Sequence, residues 1–85
     1  MFYNQGMEKI INNVPALLAE SNCKPTALGL VGISQGTAYA WANNTVTRCD
    51  FDTVARLCGF FTDRLGRPVG VGDILSVYVP APEPE

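Results

Sequence analysis

The chain has 85 residues, six of them Lys or Arg, eight Asp or Glu and none His, for a net charge of −2; that length builds one core, not two. At 47% apolar and 16% charged residues it is rich enough in apolar side chains to fold and is not compositionally disordered. Cys23, Cys49 and Cys58 show no CxxC spacing and have no His beside them, which speaks against a zinc site, a disulfide framework or an activated thiol nucleophile.

Met7, Ile10, Ile11, Val14, Leu17 and Leu18 recur at the three-to-four spacing of a helix face, but Pro15 would break one continuous helix. The spacing therefore predicts two pieces: a short turn or helix around Glu8 to Asn12, and a helix from Val14 to about Ser21. Asn13 caps the second piece, Pro15 falls harmlessly in its first turn, and Asn22 suits a left-handed exit. Pro25 opens a short helix that reaches about Val31 and stops at Gly32. Ser34 is an N-cap for a third helix, Gln35 to Asn43, closed by the Asn43-Asn44 pair. Asp50 caps a fourth helix running through Phe51, Val54, Ala55, Leu57, Cys58 and Phe61, with Asp52 at its positive end. Thr62 to Gly70 is expected to be a loop, punctuated by Gly66 and Pro68. A helical turn follows at Gly72 to Leu75, then a strand-like "SVYV", Ser76 to Val79. Residues 1–79 make the domain, and residues 80–85, "PAPEPE", a disordered acidic tail.

"GISQGTAYAWANN" (Gly32 to Asn44), followed by "DFDTVARLCGF" and "VGDIL", resembles the helix-turn-helix family of the phage lambda repressor and Cro, the Xre-type regulators. The resemblance spans about Asn13 to Leu75. It implies an all-α, compact five-helix bundle, here with a short C-terminal strand, whose third helix enters the DNA major groove, usually as a symmetric dimer. The implied function is sequence-specific, repressor-like transcriptional regulation, with double-stranded DNA as partner and a cytoplasmic location. The sequence departs from the family in places. Its second helix opens with Lys24-Pro25 where the family commonly has Thr-Gln, and the usual arginine of helix one is absent.

Nothing from Pro25 to Thr47 is charged. Ser34, Gln35, Asn43 and Asn44 interrupt this stretch long before the ~20 apolar residues of a membrane span. Helical geometry turns Ile33, Ala38, Trp41 and Ala42 inward and sets Gln35, Tyr39 and Asn43 in an i, i+4, i+8 row on the other side, flanked by Gly36 and Ala40. An amide, a phenol and small residues fit a groove of neutral base edges: Gln bonds bidentately to adenine, Tyr touches a thymine methyl or donates to phosphate, and Gly and Ala allow close approach. Lys24 and Arg48 bracket the neutral stretch where phosphates would pass. Asn43, Asn44, Thr45 and Thr47 add hydrogen-bond donors, Ser34 and Thr37 join the residues expected at the DNA, and the helix N-termini offer backbone N–H donors. Arg56, Arg64 and Arg67 read as surface charges.

With neither His nor a phosphate loop nor a nucleophile with its base, no enzyme, metal, cofactor or small-molecule substrate is expected. The competing reading is a degenerate helix-turn-helix adaptor or antirepressor that binds protein instead of DNA, favoured by the acidic balance. A homodimer is expected, with Phe60, Phe61, Leu75 or the "SVYV" strand at its interface.

Overall fold

The computed structural model describes residues 9–78; the Pro-rich tail, Met7 and Glu8 lie outside the described residues. The order is β1 (Lys9–Asn12), α1 (Val14–Ser21), a 3₁₀ helix (Pro25–Val31), α2 (Gln35–Ala42), α3 (Phe51–Leu65), α4 (Val71–Ile74) and β2 (Leu75–Tyr78). Five helical segments thus form the expected bundle, with a two-stranded antiparallel sheet added.

The first difference from the sequence expectation is β1. The segment before Val14 is a strand, not a turn or helix, because it pairs with β2 in the register Lys9 to Tyr78 and Asn12 to Leu75. Partners 63 to 69 positions apart supply those hydrogen bonds, so local periodicity carries no trace of them. Asn13 sits at the N-cap of α1 but its side chain makes no cap bond. Its amide donates to Ser76 Oγ at 2.7 Å, while Asn12 Oδ1 accepts from Val14 N–H at 2.9 Å. Capping has passed to the preceding residue because Asn13 is engaged with β2. At the other end of α1, Asn22 has φ 56, the left-handed exit that its sequence position suggested.

The second difference is α3, which continues through Thr62 to Leu65 and ends at Gly66, φ 69. The expected loop is shortened to the segment before Val71. Leu65 follows Phe61 by four residues and packs against the core, which holds the last turn in place. Thr62 Oγ1 then accepts from Val69 N–H at 3.0 Å and pins the short loop back onto the helix.

Trp41, Phe61, Leu28, Leu57, Ile74 and Val14 are the largest fully buried side chains, and no charged or polar residue is buried among the described residues. Phe60 and Phe61 meet edge to face, centroids 5.1 Å apart. Both are buried, so they belong to the core and cannot also form the dimer surface suggested for them. Phe51, by contrast, is 94% exposed. It occupies the first position of α3, where the inward stripe begins only at Val54. Ala55 too is exposed, off that stripe.

Candidate nucleic-acid interface

Gly32 lies between the 3₁₀ helix and α2 at φ 84, a left-handed conformation that a side chain resists. Its N–H donates to Gly29 O at 3.0 Å, and Ile33 N–H to Leu28 O at 3.3 Å, closing the helix in two bonds. Buried Ile33 anchors the turn. Ser34, extended at ψ 155, starts α2. Its Oγ donates to Thr37 Oγ1 at 2.9 Å and accepts from Thr37 N–H at 3.4 Å. The N–H groups of Gln35 and Gly36, ahead of any intrahelical acceptor, remain directed along the helix axis toward solvent.

One face of α2 is fixed in the core by Ala38 and Trp41. The other carries Gln35, Tyr39 and Asn43, all exposed, with Gly36 and Thr37 also exposed and Ala40 half-buried. The inward and outward division drawn from periodicity is therefore the one the fold adopts. Asn43 is the C-cap, and Asn44 takes φ 60 so that Thr45 N–H returns to Ala40 O at 2.9 Å. Asn12 Nδ2 donates to Trp41 O at 2.8 Å and ties the same helix end to the sheet.

Gly36, Thr37, Ala40 and Arg48 come together around an open groove of about 390 Å³ between α2 and the loop that leads into α3, with Asp50 and Thr53 on its far wall. Asn44 and Arg48 also border a second groove on the other side of that loop, floored by Trp41, Val46 and Leu75. Arg48 thus borders both grooves beside the C-terminal half of α2. Lys24 does not join it. It is the N-cap of the 3₁₀ helix, at the end of that helix away from Gly32, roughly 14 Å along the axis for seven residues.

All six basic residues but only five of the eight acidic ones fall within residues 9–78, so the described body is net +1. Two of those acids are neutralised locally. Asp52 accepts from Arg56 Nε at 2.7 Å, and Glu20 from Arg67 Nη2 at 2.8 Å. Asp50, the acid nearest Arg48 in sequence, accepts Thr53 N–H at 2.7 Å as the α3 cap. That backbone bond holds its carboxyl below the usual carboxylate value, so the charge persists beside the groove. Arg56 and Arg67 are more than solvated charges. Arg56 also donates from Nη1 to Val31 O at 2.6 Å, and Arg67 joins the loop after α3 to α1. Sequence reasoning missed the Val31 and Glu20 contacts because those partners are 25 and 47 residues away; the Asp52–Arg56 pair, four residues apart on one helix, was within its reach.

A short helix, a tight glycine turn and a second helix with an uncovered polar face define a helix-turn-helix. Residues 13–66 match the Cro/C1-type HTH DNA-binding domain, and the chain belongs to that family. No curated protein and no solved structure matches it. No helix among the described residues is long and apolar enough to cross a membrane.

Proposed function

We propose that this protein is a sequence-specific DNA-binding transcriptional regulator that inserts α2 into the major groove and acts as a homodimer. The observation that carries this reading is the uncovered face of α2: Gln35, Gly36, Tyr39 and Asn43 are exposed on a helix whose opposite face is locked by Ala38 and Trp41. Gln35, in the first turn, reads a base edge; Tyr39 and Asn43 continue the contact; Gly36 and Ala40 let the backbone come close. Ser34, Thr37 and Asn44 hold and flank the reading helix. Arg48 binds phosphate beside it, and Lys24 contacts backbone further out.

Dimerisation would use the sheet. With Phe60 and Phe61 committed to the core, the exposed apolar groups near β2 are Ile10, Ile11, Val77 and Tyr78, on strands whose outer edges pair with nothing among the described residues. An unprotected edge of this kind is a template for pairing with a second copy. Sedimentation of the full chain, with and without DNA, tests it: a monomer under both conditions at high micromolar concentration rejects the dimer.

The reading role is tested by two variants measured on preferred and random duplexes across a salt series. Gln35→Ala should cost about 1–3 kcal/mol on the preferred site and almost nothing on random DNA. Arg48→Ala should weaken both and make the salt slope shallower by about one unit, from a wild-type value near about −3.6 for four ionic contacts per dimer. Variants that bind as wild type does would move the balance to the protein-binding adaptor, whose supporting feature is the scarcity of cations on α2 itself.

A further inference from the structure

Arg56 is an exposed arginine on α3 whose guanidinium ties its own helix to the end of the 3₁₀ helix. Nε donates to Asp52 one turn earlier at 2.7 Å, and Nη1 donates to the carbonyl of Val31, 25 residues away, at 2.6 Å. Val31 is the last residue of the 3₁₀ helix, so its carbonyl has no helical donor ahead of it. A cation there also meets the negative end of the helix. A Cβ on Gly32 would crowd the same Nη1 and push that end of the guanidinium aside, so glycine at position 32 leaves room for the arginine as well as allowing the positive φ of the turn. Gly32, Ile33, Ser34 and Thr37 border a small groove with Asp52, Thr53 and Arg56. The clamp therefore closes on the turn from which α2 departs.

We infer that Arg56 is a positioning residue for DNA recognition: it fixes the turn against α3 and so sets the direction in which α2 meets the groove. This rests on the proposed DNA-reading role of α2. Two donors of one planar fork are needed, one for each acceptor, and a lysine ammonium in the same place cannot span both in that geometry. Base-edge hydrogen bonds are demanding in geometry, whereas phosphate contacts tolerate a shifted helix. Loss of the clamp should thus lower specificity before it lowers general affinity for DNA.

The test uses the full chain with Arg56→Lys, which keeps the charge, and Arg56→Met, which keeps the aliphatic stem. Affinity for a selected duplex and for random duplex is measured across a salt series, and the amide resonances of Gly32, Ile33 and Ser34 are followed in the free protein. The expected result for both variants is a fall of about tenfold or more in the ratio of selected to random affinity, the scale of one lost base contact. Random-DNA affinity and salt slope stay near wild type, and the three amides shift or exchange faster. An equal loss on both duplexes for Arg56→Met, with a slope shallower by about 0.9, would make Arg56 a phosphate contact and overturn the inference. Unchanged amides and an unchanged ratio would overturn it as well. If a variant is too unstable for binding assays, the amides of Arg56→Lys below its unfolding temperature decide between the same outcomes. Absence of any selected or random binding by wild type would instead refute the DNA-reading role, and the amides would then report on the clamp alone.

Discussion

Two glycines on helices separate folding from reading. Gly59 lies in the middle of α3 and Gly36 in the first turn of α2; both are exposed, and a Cβ built on either meets nothing within 4 Å. Neither has positive φ. Alanine is better than glycine inside a helix by about 1 kcal/mol, chiefly because the unfolded chain loses freedom. Gly59→Ala should therefore stabilise the domain by about 0.5–1 kcal/mol, which raises the Tm by roughly 2–8 °C for a domain of this size. Gly36→Ala should stabilise it too, but by less, since the first helical turn has fewer bonds to lose. Binding should separate the two. Gly59→Ala leaves DNA affinity unchanged, whereas Gly36→Ala weakens it, because the added methyl stands where the helix backbone would approach the groove. Thermal unfolding and titration of a selected duplex read both effects. A Gly36→Ala protein that is stabilised and binds DNA as wild type does would refute the close approach. A Gly59→Ala protein that gains nothing would refute the estimate of open space.

Other expected outcomes follow from single contacts. Trp41 is buried, and its Nε1 has no hydrogen-bond partner among the described residues. An unmet buried donor costs about 1–3 kcal/mol. Trp41→Phe should accordingly cost less than about 2 kcal/mol in denaturant unfolding, against about 3–5 for Trp41→Ala; equal losses would argue against an unmet donor. Cys49 is exposed and borders both grooves beside α2, whereas Cys58 is partly covered and burial raises its thiol pKa. A thiol reagent followed by mass spectrometry should label Cys49 well before Cys58, and bound duplex should protect Cys49; unprotected labelling in the complex would move the DNA elsewhere. Asp50 has its folded-state pKa lowered from 3.8 by the Thr53 N–H. Its stabilising contribution is present above that value and fades as pH falls through the lowered one. The Tm of Asp50→Asn should thus fall less steeply than wild type's on acidification from about pH 5 to 3, and parallel curves would contradict the cap's role.

What could be read in advance was local. Ser34 and Asp50 announce helix starts, Pro15 and Pro25 sit in first turns, and Gly32, Asn22 and Asn44 take the left-handed positions their side chains allow. The exposed row of Gln35, Tyr39 and Asn43 follows from helical spacing once Ala38 and Trp41 are inside. The strand Lys9–Asn12 was not legible, because Ile10 and Ile11 are both exposed and give no alternation; only pairing with β2 makes it a strand. The last turn of α3 did carry a signal, Leu65 four residues after Phe61 and Gly66 just beyond, which the polar Thr62-Asp63-Arg64 run obscured. For Arg56 only the pairing with Asp52 four residues earlier was legible; its bond to Val31 left no trace, since that acceptor is a backbone carbonyl that any residue at position 31 would offer.

The most direct test of the central claim is selection of bound duplexes from a random pool by the wild-type protein and by Gln35→Ala. Wild type should enrich a two-fold symmetric motif, its half-sites separated by about one helical turn. Gln35→Ala should enrich a motif that has lost preference at one base pair in each half-site and kept the rest. No enrichment by wild type at low salt, or identical motifs from the two proteins, would contradict a reading role for α2.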